Sequence, residues 1–217
     1  MLRTLSYYEM KNRAGIVGQN GLGPLLGGLT GPGGAPRIHL MSHSFGARLV
    51  SHSLAGLPGN QTAAASPVKS LTLIQGAFSH FTFASSLMFE PSRPGGLTGD
   101  GSRVDGPLLT TFSSADRAVG WWYPAASMLA GQDSESATDL VYRWGAMGHD
   151  GYQQTPTPTE IVMQAQGKPY DFQPGTFYRL DANAVICTNQ STFSGAHSDI
   201  RHPEVLWAVV SAAGLAA

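Results

Sequence analysis

Short apolar segments alternate with helix-like segments along the chain, and this alternation constrains the fold more than any other feature. The strand candidates are residues 37–41, 68–74, 106–112 and 177–187. The helix candidates are residues 2–17, 47–54, 121–129 and 203–210. Strands that alternate with helices are typical of a parallel sheet covered on both faces. The sequence therefore predicts an α/β fold with a mostly parallel sheet flanked by helices.

The chain length predicts one domain over residues 1–217, because 217 residues build one sizeable core and hardly two. Its 27 glycines and 14 prolines indicate many tight turns. We expect the wide intervals between strands, at residues 77–106 and 131–175, to form a lid or loop excursions from the sheet.

Charge and cysteine content exclude several classes of partner. Thirteen Lys and Arg against 14 Asp and Glu leave no basic field for nucleic acid. Cys187 has no second cysteine to pair with, which fits a reducing compartment. No run reaches the roughly 18 apolar residues of a membrane span, and Glu9 and Lys11 interrupt any secretory signal at the start. We expect a cytoplasmic protein with no integral membrane segment.

The segment around Ser44 carries the clearest chemical signal. Ser44 stands between the strand candidate 37–41 and the helix candidate 47–54, with Ser42 two residues before it and Gly46 two residues after it. Small residues at these positions let a strand and a helix pass each other at a sharp, strained turn that exposes the serine hydroxyl. The next amide, that of Phe45, would lie at a helix N-terminus and could donate to an oxyanion. The alternative reading of Ser44 is an ordinary helix cap.

With this strand, serine and helix the sequence resembles the α/β-hydrolase family, whose catalytic residues follow the chain order Ser, Asp or Glu, His. Asp116 follows the strand candidate 106–112, and His197 precedes the closing helix. The resemblance implies Ser44 as nucleophile, His197 as general base and Asp116 as the residue that orients the histidine. Asp181 and Asp105 remain alternatives for the acid, and His149 and His202 for the base.

Side chains near these residues are candidates for substrate binding. We expect His43, directly before Ser44, to line the site. The resemblance implies that the aromatic residues after the second strand, with Phe78 first, and Trp121 and Trp122 after the acid, contact an apolar part of the substrate. Core packing is the alternative for both aromatic groups. His39 and His43 lack the context of a zinc motif, so we expect no metal and no cofactor.

The predicted function is a serine esterase or lipase that acts on a small-molecule or lipid ester through an acyl-enzyme. The resemblance covers only the part from the strand before Ser44 to the histidine, since about 40 residues precede Ser44. Residues 2–29 or a second copy in a homo-oligomer would then cover an exposed sheet edge. Residues 21–24 are a candidate for a second oxyanion donor. The alternative function is a non-catalytic binding module of the same fold, or an inactive fragment of a longer hydrolase.

Overall fold

A computed structural model of the chain describes residues 2–29, 36–59, 66–122, 142–153 and 158–215, with the backbone alone at residues 2–8 and 121–122. Its five strands form one parallel sheet in the order β1-β2-β3-β5-β4. The strands are β1 (Ile38–His43), β2 (Val68–Ile74), β3 (Leu108–Phe112), β4 (Thr159–Val162) and β5 (Phe177–Asp181). This confirms the predicted α/β class and the parallel sheet.

Helices lie on both sides of the strands. They are α1 (Leu2–Val17), α2 (Gly23–Gly28), α3 (Phe45–Ala55), α4 (Met147–Asp150) and α5 (Pro203–Ala212). Shorter helical turns occupy Gly18–Leu22, Asp100–Arg103 and Ala118–Trp122. All four predicted strands and the helices predicted at 2–17, 47–54 and 203–210 are present, most of them with shifted ends. The predicted helix at 121–129 lies almost entirely outside the described residues.

Two strand predictions need correction. The fifth strand ends at Asp181 instead of continuing to residue 187, because the Asp181 carboxylate accepts the backbone N–H of Asn183 at 2.9 Å and turns the chain. The edge strand β4 was not predicted at all. Its four residues are mostly exposed and lack the apolar pattern of a buried strand.

Side chains alternate between two cores, one on each face of the sheet. Leu71, Leu73 and Leu108 point into the core beneath α3, while Ile74 and Leu109 pack with Val205 of α5 in the other core. Because successive strand residues face opposite sides, the apolar residues of β2 and β3 contribute to both cores. The central strands are therefore rigidly held, and their carboxyl ends form a stable platform.

The segment between β2 and β3 is a packed excursion. Phe78, Phe83, Leu97 and Val104 from this segment belong to the core beneath α3. At the start of the chain, α1 and the turn at Gly18–Leu22 pack against α3. No helix in the described part of the chain is both long enough and apolar enough to cross a membrane.

Candidate active site

Ser44 lies on a sharp turn between β1 and α3. It is a non-glycine residue with positive φ (φ 58°, ψ −124°), a conformation that costs energy and persists only when its surroundings enforce it. Two backbone hydrogen bonds hold Ser44 in this conformation. Ser44 N–H donates to Ile74 O at 3.1 Å, and Ala77 N–H donates to Ser44 O at 3.2 Å. The turn is thus anchored to the end of β2.

Gly46 allows β1 and α3 to come this close together. A Cβ at Gly46 would overlap the hydroxyl of Ser42, so the two small residues around Ser44 are needed for steric reasons. The sequence pattern that first singled out Ser44 therefore has a direct packing explanation. The helix-cap reading of Ser44 fails on geometry, because its side chain makes no capping hydrogen bond to α3.

The structure brings Ser44, His197 and Asp116 into one hydrogen-bonded line. His197 Nε2 lies 2.8 Å from Ser44 Oγ, and its Nδ1 lies 2.7 Å from Asp116 Oδ2. The serine and histidine are half-buried, whereas Asp116 is fully buried. With Nδ1–H donated to the carboxylate, Nε2 is left to accept the serine proton.

Asp116 is held by donors on several sides. Besides His197, its carboxylate accepts the Gln75 side-chain amide at 3.0 Å and the Val119 backbone N–H at 3.2 Å. The loop that carries His197 is tied to the Asp116 loop by Ala196 N–H, which donates to Ala115 O at 2.9 Å. Gly195, at φ +56°, permits this contact because a Cβ there would overlap Ala115 O.

Gln75 is a site residue that the sequence analysis missed. It is fully buried directly after β2 and, like Ser44, has a positive φ, of 45°. Its amide donates to Asp116 and also to Gly148 O at 2.9 Å, while its oxygen accepts the hydroxyl of Thr111 at 2.9 Å. Every polar atom of the side chain is thus satisfied. The available signal was the position of Gln75 directly after the strand Val68–Ile74, at the carboxyl end of the sheet where Ser44 also lies.

His43 contacts the site from the side of β1. Its Nε2 lies 2.8 Å from the backbone oxygen of His197, and the two rings are 4.6 Å apart between centroids. Burial, and secondarily the neighbouring His197, lower the pKa of His43. A neutral His43 that donates to His197 O supports the histidine loop, and the predicted contact with substrate stays a prediction.

Phe45 is the first residue of α3, so its backbone amide stands at the helix N-terminus next to Ser44. This is the position expected for an oxyanion donor. The suggested second donor in residues 21–24 was wrong. Gly23 packs against Ser53 O and Gly56 at the far end of α3, about 13 Å along the helix axis from Ser44.

The aromatic residues that were predicted to contact the substrate differ in their surroundings. Phe78 is fully buried in the core beneath α3, which corresponds to the core-packing alternative. The side chains of Trp121 and Trp122 lie outside the described residues. Phe81 and Phe89, from the same segment as Phe78, line an open cavity.

The alternative acids and bases lie in other contacts. Asp105 pairs with Lys69 at 2.7 Å, and Asp181 bonds Asn183. His202 pairs with Asp199 at 2.9 Å. His149 lies in α4 and packs so closely against Gly120 that a Cβ added there would lie only 2.5 Å from His149 Nδ1. None of the four contacts Ser44 in the described hydrogen bonds.

Within the described ranges, no group of three His, Cys, Asp or Glu side chains is placed to hold a metal ion. The arrangement at Ser44 can instead move a proton from the serine hydroxyl to an imidazole fixed by a buried carboxylate. Comparison with protein-family models, with curated proteins and with solved structures finds no match to this chain.

Proposed function

We propose that this protein is a serine hydrolase of the α/β-hydrolase type that cleaves carboxylic esters through an acyl-enzyme. The observation that carries the proposal is the line from Ser44 Oγ through His197 to buried Asp116, with the serine on a strained strand-to-helix turn. A hydrogen-bonded nucleophile, base and orienting acid in this order form the constellation of serine hydrolases.

In the first half of the reaction, Ser44 Oγ forms a bond to the ester carbonyl carbon as its proton passes to His197 Nε2. Asp116 stabilises the imidazolium and keeps its ring oriented. The Phe45 amide is placed to donate to the negative carbonyl oxygen. The intermediate then collapses: the carbon–alkoxide bond breaks, and the alcohol leaves with the proton from His197.

In the second half, water attacks the acyl carbon of the Ser44 ester while His197 Nε2 accepts one of its protons. Collapse breaks the bond to Ser44 Oγ, which regains the proton from His197, and the carboxylic acid is released. The reaction thus consumes one ester and one water, and yields one acid and one alcohol without a cofactor.

A fluorophosphonate probe tests the proposal, because an activated serine displaces its fluoride and becomes phosphonylated. We expect labelling at Ser44, located by peptide mass spectrometry, together with turnover of p-nitrophenyl acetate. Ser44→Ala should abolish both. Ser42→Ala should retain both, because Ser42 lies in β1, two residues before Ser44, and makes no described hydrogen bond to His197.

The second candidate is a binding module without catalysis. One observation favours it: in the described part of the chain no strand pairs with the outer edge of β1, and no second oxyanion donor is identified beside Phe45. Folded protein that neither labels nor hydrolyses esters would support this candidate and refute the hydrolase.

A further inference from the structure

The chain between β5 and α5 carries His197 but contains no helix and no strand over residues 182–202. His197 lies in a tight turn of residues 196–199, the His197 turn, in which the Asp199 N–H donates to Ala196 O at 2.9 Å. Irregular segments are more mobile than helices and strands unless other contacts hold them. The position of His197 therefore depends on what holds the two ends of this turn.

Asp199 holds the C-terminal end of the His197 turn. It is buried, and its carboxylate accepts three hydrogen bonds. Oδ2 accepts the backbone N–H groups of Cys187 at 3.0 Å and Thr188 at 2.8 Å, and Oδ1 lies 2.9 Å from His202 Nε2. A single side chain thus joins the turn to residues 187–188 and to the residue directly before α5.

Ile186, directly before these anchoring residues, is itself fixed to the loop that carries Asp116. The Ser113 hydroxyl donates to Ile186 O at 2.7 Å, and Asp116 N–H donates to Ser113 O at 3.1 Å. The first end of the His197 turn reaches the same loop directly, through the Ala196 N–H. The Asp116 loop and the His197 turn are therefore connected by two routes, and the second route passes through the Asp199 carboxylate.

The Asp199 carboxylate suits this role because it is ionised at neutral pH. Burial acts to raise its pKa, but the Thr188 N–H, His202 and the Cys187 N–H outweigh burial and hold that pKa below its usual value. Hydrogen bonds to an ionised acceptor are roughly twice as strong as those between neutral groups. The carboxylate therefore holds the turn more firmly than a neutral side chain would.

We propose that Asp199 is a positioning residue that holds the imidazole of His197 in line with its two partners. Both ring contacts of His197 are short, 2.7 Å to Asp116 and 2.8 Å to Ser44, so they tolerate little displacement. A misplacement of about 1 Å can lower the rate of a reaction about 100-fold. The inference rests on the proposed hydrolase function, to which Asp199 contributes only through the position of His197.

Two substitutions at Asp199 test the proposal through kcat for p-nitrophenyl acetate. Asp199→Ala removes the anchor and should lower kcat about 10- to 100-fold with little change in KM. Asp199→Asn keeps an oxygen for the two backbone N–H groups and an amide facing His202, so kcat should stay within about threefold. Asp105→Ala, which removes a carboxylate paired with Lys69 near the start of β2, should leave kcat unchanged. Titrating active sites with the fluorophosphonate excludes unfolded protein from each kcat.

Proton NMR measures the contact between His197 and Asp116 without turnover. A histidine N–H donated to a carboxylate in a protected site gives a resonance far downfield, and its disappearance in His197→Ala assigns it. We expect this resonance in the unsubstituted protein and in Asp199→Asn, and its loss in Asp199→Ala through exchange with water. The resonance of the His80–Asp150 pair should be the same in all three. If the unsubstituted protein neither labels nor hydrolyses esters, the proposed function fails, while the His197 resonance still tests the role of Asp199.

A normal kcat or an unchanged His197 resonance in folded Asp199→Ala would overturn the proposal, and so would an equal loss of kcat in Asp199→Asn. Circular dichroism checks that each variant is folded. If Asp199→Ala does not fold, His202→Ala decides, because the His202 side chain is 30% exposed and its removal frees only Oδ1 of Asp199. We expect His202→Ala to lower kcat about two- to fivefold, and an unchanged kcat would then overturn the proposal.

Discussion

Two histidine–aspartate pairs in this molecule have the same length and opposite surroundings. His197 and Asp116 are joined at 2.7 Å, and so are His80 and Asp150. In the first pair the aspartate is fully buried, and the histidine side chain is 13% exposed beside Ser44. In the second pair the histidine is fully buried, and the aspartate is 29% exposed.

The two pairs also differ in the contact made by the Nε2 atom of each histidine. His197 Nε2 meets the Ser44 hydroxyl, whereas His80 Nε2 is buried without a hydrogen-bond partner in the part of the chain that the structure describes. The backbone of His80 bonds Gly145 O and Gln153 N–H, so this residue ties the segment after β2 to residues 145–153. The length of the histidine–aspartate contact alone therefore does not distinguish the proposed catalytic pair from the pair at His80. What distinguishes the two pairs is the contact of the second ring nitrogen and the exposure of the histidine to solvent.

The largest expected effect is the difference in kcat/KM between variants of the two histidines. His197→Ala should lower kcat/KM for p-nitrophenyl acetate by roughly 10⁴-fold or more, because the general base is lost. His80→Ala should lower it no more than a few-fold per folded molecule. Circular dichroism supplies the folded fraction for both variants. Equal losses in folded protein would mean that the two pairs do not differ in the way proposed.

The next effect compares two glutamines, one beside each pair. Gln75 donates to Asp116, and Gln153 donates to the backbone oxygen of Asp150 at 2.8 Å. Gln75→Ala should lower kcat about 10- to 100-fold with little change in KM, since one hydrogen bond to the orienting carboxylate is lost. Gln153→Ala should leave kcat unchanged. Titrating active sites with the fluorophosphonate corrects for unfolded protein, and a normal kcat per active site in Gln75→Ala would contradict a positioning role.

A smaller effect concerns the free energy of unfolding, for which we expect His80 to matter more than His197. His80→Ala should reduce the free energy of unfolding by about 1–3 kcal/mol, because it creates a cavity and removes a partner of Asp150. His197→Ala should cost less, since its side chain borders the exterior. Urea unfolding of both variants measures the difference. A larger cost for His197→Ala would refute the structural role given to His80.

A third pair, His202 and Asp199, gives the smallest expected effect. Burial acts to raise the pKa of Asp199, but the Thr188 N–H, His202 and the Cys187 N–H outweigh it and hold that pKa below its usual value. The stabilisation is therefore present above the unfolded pKa of about 3.9 and is lost as pH falls through the lower folded pKa. The stability difference between the unsubstituted protein and Asp199→Asn should shrink on acidification below pH 4. A difference that stays constant from pH 7 to pH 3 would contradict this.

The sequence predicted those features that depend on local pattern. The strand Val68–Ile74, rich in Val, Leu and Ile, and the small residues around Ser44 are both recognised from neighbouring residues alone. Gln75 has no such signature, because its role arises only when β2, β3 and α4 bring Thr111, Asp116 and Gly148 together. Strand β4 was missed for a related reason: an exposed edge strand needs no apolar run.

Aromatic residues were the hardest to assign from sequence. Phe78 and Phe81 stand three positions apart and are both buried, yet Phe78 belongs to the core beneath α3, whereas Phe81 belongs to a small separate cluster and also lines the cavity. Both environments favour large apolar side chains, so residue type alone does not distinguish them.

The wide separation of the three site residues along the chain has a consequence for folding. Ser44 and His197 are 153 positions apart, and His197 and Asp116 are 81 apart. Contacts of such long range form only after large loops have closed, which makes them late and slow events. Ester turnover would then appear after helices and compact shape during refolding, so catalysis itself would report the completion of the native state.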